Sequence, residues 1–202
     1  MELNRWHKLM RAFNLADNNS VFHSLLQAYS QRHRCYHTSE HINACLIHLD
    51  NSNHLATNPY EIEMALWFHD AIYQPYSSDN ELKSALLAKK FLLENNVDKT
   101  IIARIYNLVM VTLHNGLTST EDEALMIDID LTILGSNTDV YQIFEKNIRK
   151  EYRFVPYFLY KKKRVEILQG FIKQAKIYQT EYFYKLFEKQ ARNNIQRILL
   201  NL

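Results

Sequence analysis

His69 and Asp70 stand side by side at the end of the apolar run MALWF (residues 64–68). Ile62, Leu66 and His69 are spaced i, i+4, i+7, so on a helix His69 continues the buried stripe. An aspartate is seldom buried unless it is paired or binds a metal. Imidazole and carboxylate are usual ligands of divalent ions, so this pair predicts a metal site.

Other histidines and aspartates could converge on the same ion, in the order His, His-Asp, Asp along the chain. His37 and His41 precede the pair with i, i+4 spacing, and Asp128 and Asp130 follow it. Two residues that are two positions apart lie about 200° apart around a helix, so only one of the two aspartates can face a given site. The spacing leaves open which histidine and which aspartate are ligands.

The composition predicts a helical protein. The chain has 202 residues, of which 47% are hydrophobic and 23% charged, as in ordinary globular proteins. It contains only 3 Gly and 3 Pro, and its apolar residues show helical spacing with little alternation. We therefore expect one all-α domain over residues 1–202, with about ten helices and no sheet. The last three helices would span 138–153, 156–175 and 180–201.

Charge and apolar runs indicate which partners to expect. A net charge of +2 gives no reason to expect a nucleic-acid partner, and the basic run at 161–164 is typical of a solvated helix face. The late aromatic residues predict core or dimer contacts, which leaves a homodimer open. No apolar run approaches the roughly 20 residues of a membrane span, and no secretory signal is evident. We expect a cytoplasmic protein with reduced thiols and no membrane partner.

Capping signals predict where several helices begin and end. The predicted starts are at Asn58 (with Pro59 at N1 and Glu61 at N3), Ser78 (with Glu81), Asp98, and Thr120 (with Glu123). The predicted stops are at Asn115-Gly116 and at Gly135.

Seven stretches carry a resemblance to a known family. The chain resembles the HD-domain superfamily of metal-dependent phosphohydrolases, whose signature is H…HD…D on a helical bundle. More narrowly, it resembles a bacterial family of predicted HD phosphohydrolases of about this length. The matching stretches are RCYHTSEHI (34–42), FHDAIY (68–73), NELKSA (80–85), TLH (112–114), DIDLTILG (128–135), IRKEY (148–152) and EKQARN (188–193).

The resemblance implies roles for particular residues. Asp130 matches the family's last aspartate because it precedes Leu131, and His41 matches the first histidine because Cys45 follows four positions later. The implied metal ligands are His41, His69, Asp70 and Asp130. The implied catalytic residues are Asp70 and Glu81, although Glu81 could instead belong to the capping box that Ser78 opens. The implied substrate-binding residues are His37, His114 and Arg149.

The resemblance also implies a fold and an activity. We expect an HD-type core over about residues 34–135, followed by additional C-terminal helices. The expected reaction is hydrolysis of a phosphate ester in a small, nucleotide-like metabolite, with one Mn²⁺, Mg²⁺, Fe²⁺ or Zn²⁺ bound. Two alternatives stay open: a metal- or ligand-binding module without turnover, and a dinuclear site like that of HD-type oxygenases, with His37 or His114 as additional ligands.

Overall fold

The computed structural model describes residues 1–114 and 118–202. Over these residues the protein forms ten α-helices and no strand, which confirms the predicted all-α class. None of the helices described is long and apolar enough to cross a bilayer. The helices are α1 Leu3–Ala12, α2 Asn19–Tyr29, α3 Ser39–Ser52, α4 Pro59–Phe68, α5 Asn80–Glu94, α6 Lys99–Met110, α7 Glu121–Asp130, α8 Thr138–Glu151, α9 Tyr157–Lys173 and α10 Glu181–Asn201.

Two compact units divide the chain, Met1–Met126 and Ile127–Leu202. The first contains α1 to α6 and most of α7, and the second contains α8, α9 and α10. The boundary lies inside α7, before the end of the core that the sequence predicts. The single domain and its HD type stay predictions.

Helix α4 is the centre of the first unit. Every residue from Glu61 to Phe68 is buried, and the helix packs against α1, α3, α5 and α6. On one side the ring of Trp67 meets that of Trp6, with centroids 5.3 Å apart and planes at 72°. Because this helix is enclosed by its neighbours, the residues at its end are held by packing from several directions.

Two predicted helix starts are confirmed by their hydrogen bonds. Asp98 caps α6, where its Oδ1 accepts from the Thr100 N–H at 2.8 Å. At α7, Thr120 Oγ1 accepts from the Glu123 N–H at 3.1 Å, and Glu123 Oε2 accepts from the Ser119 N–H at 2.6 Å. Two otherwise unpaired backbone donors are thereby satisfied at the start of α7.

Helix α4 begins at Pro59 with Asn58 as its N-cap residue, as predicted, but the predicted hydrogen bonds of the capping box are not formed. The Asn58 side chain accepts no capping bond; instead Asp122 accepts from the Asn58 N–H at 3.0 Å. Glu61 pairs with Arg104 at 2.7 Å. Long-range partners have therefore replaced the local ones that the spacing suggests.

Helix α5 begins at Asn80, within two residues of the start that the sequence predicts near Ser78. The N-cap residue is Asp79 and not Ser78. Asn80 instead closes the preceding loop, because its side chain accepts from the Gln74 N–H and donates to the Gln74 carbonyl, each at 2.9 Å. The predicted stop at Asn115-Gly116 lies outside the described residues.

In the second unit, α10 packs on the 3-10 helix Leu131–Gly135. Gly135 ends that 3-10 helix, as the sequence predicts, but its main role is to permit a close approach. A Cβ placed on Gly135 would lie 2.6 Å from Phe187 Cβ and 2.8 Å from the Phe187 carbonyl oxygen. Only glycine allows the two backbones to come this close.

Candidate metal centre

His69 lies immediately after α4, and the backbone fixes its ring. Its side chain is 1% exposed, and Nδ1 lies 3.0 Å from the Leu66 carbonyl oxygen. Because a carbonyl can only accept, the neutral form of this ring carries its proton on Nδ1 and has its lone pair on Nε2. In metal-binding histidines, such a hydrogen bond from the nitrogen that does not bind the metal fixes the orientation of the ring.

Three donor atoms converge beside this ring. His69 Nε2 lies 3.2 Å from His41 Nε2 and 3.2 Å from Asp70 Oδ2, and His41 Nε2 lies 3.5 Å from the same Oδ2. Neighbouring ligands of a tetrahedral ion at about 2.0–2.2 Å are roughly 3.3–3.6 Å apart. The three atoms are thus spaced like one face of a coordination shell, and all three belong to the first unit.

The electrostatics of the cluster also suit a cation. Burial alone would raise the pKa of Asp70, but the rings of His69, His37 and His41 outweigh it and hold that pKa below its usual range. Asp70 is therefore a carboxylate at neutral pH, as a ligand must be. Two imidazole nitrogens that face each other at 3.2 Å need a proton or a cation between them.

Helix α3 places His41. Thr38 caps this helix by accepting from the Glu40 N–H at 3.3 Å, and His41 stands in its first turn. The Tyr36 hydroxyl lies 3.1 Å from His41 Nδ1, and the Cys45 sulfur lies 3.7 Å from the same atom one turn later. These contacts direct Nε2 toward His69, which supports the implied ligand.

His37 occupies a different position. Its ring stacks on Tyr73, with centroids 4.1 Å apart and planes at 28°. The ring is half-buried and its centroid lies 6.1 Å from that of His41. His37 is therefore a neighbour of the cluster, and its role in substrate binding stays a prediction.

Arg34 is a site residue to which the sequence reasoning gave no role. Its buried guanidinium donates to the carbonyl oxygens of Asp70 at 2.7 Å, Ala71 at 3.0 Å and His37 at 3.1 Å. It also lies over the Tyr29 ring, 5.2 Å from the centroid. Arg34 thus ties the segment before α3 to the turn that carries Asp70. The only sequence signal was its place in the stretch RCYHTSEHI.

Arg34→Lys should lower the affinity of the protein for Mn²⁺ by about 10- to 100-fold, the usual cost of disturbing residues that orient metal ligands. Lysine keeps the charge but cannot direct several N–H groups in a rigid plane at three carbonyls. The affinity is measured by calorimetric titration of the metal-free protein. Arg104→Lys, at the Glu61 ion pair, is the matched control and should bind as the parent does. Equal affinities for all three proteins would contradict the role of Arg34.

Asp128 is explained by a role in the second unit. Its fully buried carboxylate accepts from the N–H groups of Gln179 and Thr180, each at 2.7 Å, and from the Thr180 hydroxyl at 2.6 Å. Burial raises its pKa, against the opposing effect of these bonds. Asp128 therefore secures the start of α10. Asp130 is the last residue of α7 and is half-buried, and its role as a ligand stays a prediction.

Glu81 stands half-buried in the first turn of α5. One turn later, Ser84 Oγ accepts from the Ile72 N–H at 3.0 Å and lies 3.3 Å from the Ile72 carbonyl oxygen. These contacts fix α5 to the turn that follows Asp70. Helix α5, which carries Glu81, is thus bonded to Ile72, two residues after Asp70. The catalytic role of Glu81 stays a prediction.

The structure places the two remaining predicted residues in different units. His114 adopts a left-handed backbone conformation (φ 51°) after the 3-10 helix Val111–Leu113 in the first unit. Arg149, in the second unit, donates to the carbonyl oxygens of Tyr152 at 2.5 Å and Val155 at 3.1 Å. These bonds give Arg149 a structural role, and both substrate-binding roles stay predictions.

Comparisons of the chain with protein-family models, with curated proteins and with solved structures gave no match. The features that point to a function are the order of the His and Asp motifs in the sequence and the convergence of His41, His69 and Asp70.

Proposed function

We propose that the protein is a metal-dependent phosphohydrolase acting on a small, nucleotide-like phosphate ester. The observation that carries the proposal is the convergence of His41, His69 and Asp70 at 3.2 to 3.5 Å from one another. Two neutral imidazoles and a carboxylate suit Mn²⁺, Mg²⁺, Fe²⁺ or Zn²⁺ to different degrees. We assign Asp130 as the fourth ligand because of its place in the sequence pattern.

A divalent ion bound there would polarise a phosphoryl oxygen and lower the pKa of a water molecule. The chain's own groups supply the rest. The ionised Asp70 can take a proton, and Glu81 on the anchored helix α5 can relay it or act as the acid. The His37 ring, with its centroid 6.1 Å from that of His41, would offset charge on a phosphate bound at the ion. We assign His114 a further contact with the substrate.

Hydrolysis by the purified protein should depend on the metal. With a panel of nucleotides and other phosphomonoesters, release of phosphate should fall at least about 10-fold after chelation, and Mn²⁺ should restore it, because the ion supplies the Lewis acid. Metal content is measured by elemental analysis of the same sample. A protein that holds one ion per chain yet hydrolyses nothing on the panel would overturn the proposal in favour of a binding module. Two ions per chain without hydrolysis would favour dinuclear chemistry.

A further inference from the structure

Six consecutive residues, FVPYFL (154–159), run from the loop before α9 into its first turn and form a largely exposed apolar segment in the second unit. The exposed fractions are 76% for Phe154, 55% for Tyr157, 69% for Phe158 and 48% for Leu159. Their only polar side-chain group is the Tyr157 hydroxyl. Contiguous exposed apolar surface of this kind usually marks an interaction site.

Basic side chains flank this segment. Residues 150–163 contain five basic residues and one acidic residue, Glu151, which is buried. Lys163 pairs with Glu166 at 3.0 Å, whereas Lys161 and Lys162 form no salt bridge with any residue that the structure describes. With a net charge of only +2 for the whole chain, the positive charge is concentrated at this segment.

The second unit does not need the exposed residues for its own packing. Helix α9 buries Tyr160 and Leu168, and Arg164 on the same side pairs with Glu145 at 2.5 Å. The loop before the helix is fixed by Arg149, which donates to the Val155 carbonyl oxygen at 3.1 Å. The segment is thus fixed to the second unit, while the side chains of Phe154, Tyr157, Phe158 and Leu159 are exposed.

We infer that the apolar segment 154–159, with Lys161 and Lys162, binds the surface of an anionic lipid bilayer. Phenylalanine, leucine and tyrosine side chains enter the boundary between headgroups and acyl chains, while lysines attract anionic headgroups. An anionic bilayer offers both an apolar interior for the aromatic side chains and negative charge for the lysines. The sequence-based expectation of no membrane partner rests on the lack of a spanning segment, and peripheral binding needs none.

A bilayer suits this surface better than a single-stranded nucleic acid does. Proteins that bind single strands place aromatic faces along a positively charged groove that follows the backbone. Here the exposed aromatic side chains belong to one short segment, 154–159, together with Leu159. The segment also lacks the amide and charged side chains that read base edges.

Sedimentation of the full-length protein with vesicles tests the inference. The protein should bind vesicles of phosphatidylcholine with phosphatidylglycerol, bind pure phosphatidylcholine far more weakly, and dissociate as salt is added. Lys161→Gln with Lys162→Gln should lower the partition coefficient roughly 30-fold, from the attraction of each lysine to an anionic surface. Phe154→Ser with Phe158→Ser should lower it more than about 10-fold, from the lost apolar burial.

Matched controls lie on α10 of the same unit. Lys185→Gln with Lys189→Gln changes the same charge, and Leu186→Ser with Leu200→Ser removes exposed apolar groups; both should bind as the parent does. Absent vesicle binding, or equal effects of the α9 and α10 variants, would overturn the inference. Binding of a single-stranded oligonucleotide by the segment would also overturn it. So would self-association of the protein that Phe154→Ser with Phe158→Ser abolishes. None of these outcomes bears on the proposed hydrolase activity.

Discussion

Asp70→Asn is expected to lower the rate of phosphoester hydrolysis by about 10²- to 10⁴-fold, the range usual for loss of a general base. Asparagine keeps the size of the side chain but removes its charge and its capacity to take a proton. The carboxylate oxygen lies 3.2 Å from His69 Nε2, so its loss also weakens the proposed metal site. Rates are measured with saturating Mn²⁺, and the metal affinity is measured separately by titration, so that the two effects can be distinguished.

The fold should survive this substitution, because the main structural contact of Asp70 is made by its backbone. Arg34 donates to the Asp70 carbonyl oxygen at 2.7 Å, and asparagine retains that carbonyl. Thermal unfolding followed by circular dichroism should therefore be close to that of the parent. Asp17→Asn makes the same chemical change at an exposed position and should leave the rate unchanged. If the Asp70 and Asp17 variants both hydrolyse the substrate as fast as the parent, Asp70 has no role in catalysis.

Periodicity and composition were sufficient to predict the class of fold. Few glycines and prolines and apolar residues at helical spacing predict the all-α class, and the structure has it. The start of α7 was equally accessible, because the bonds of Thr120 and Glu123 lie within a few residues of each other. Such local features depend only on neighbours in the sequence.

The error at α4 came from a partner distant in the sequence. Asn58 does occupy the N-cap position, but its N–H donates to Asp122, 64 residues away, and not to Glu61. No local pattern indicates which distant carboxylate will compete for a cap. Arg34 was missed for a related reason: its partners are backbone carbonyls, which every residue possesses and which leave no signature in residue type.

Replacing Asp128 or Asp130 by alanine should have different effects, the first on stability and the second on metal binding. Asp128→Ala should lower the free energy of unfolding by roughly 2–4 kcal/mol, because three donors from Gln179 and Thr180 would lose a buried charged acceptor. Its affinity for Mn²⁺ should stay near that of the parent. Asp130→Ala should instead bind Mn²⁺ at least about 10-fold more weakly than the parent.

Urea unfolding and metal titration of both variants make this comparison, and each variant controls for the other. Loss of Mn²⁺ affinity in Asp128→Ala alone would move the ligand role to position 128, against the bonds that its carboxylate makes to the start of α10. Unchanged affinity in Asp130→Ala would leave His41, His69 and Asp70 as the complete set of protein ligands. Three protein ligands leave a coordination position open, which is the arrangement of catalytic rather than structural metal sites. The measured affinity of Asp130→Ala therefore determines whether three or four protein ligands hold the ion.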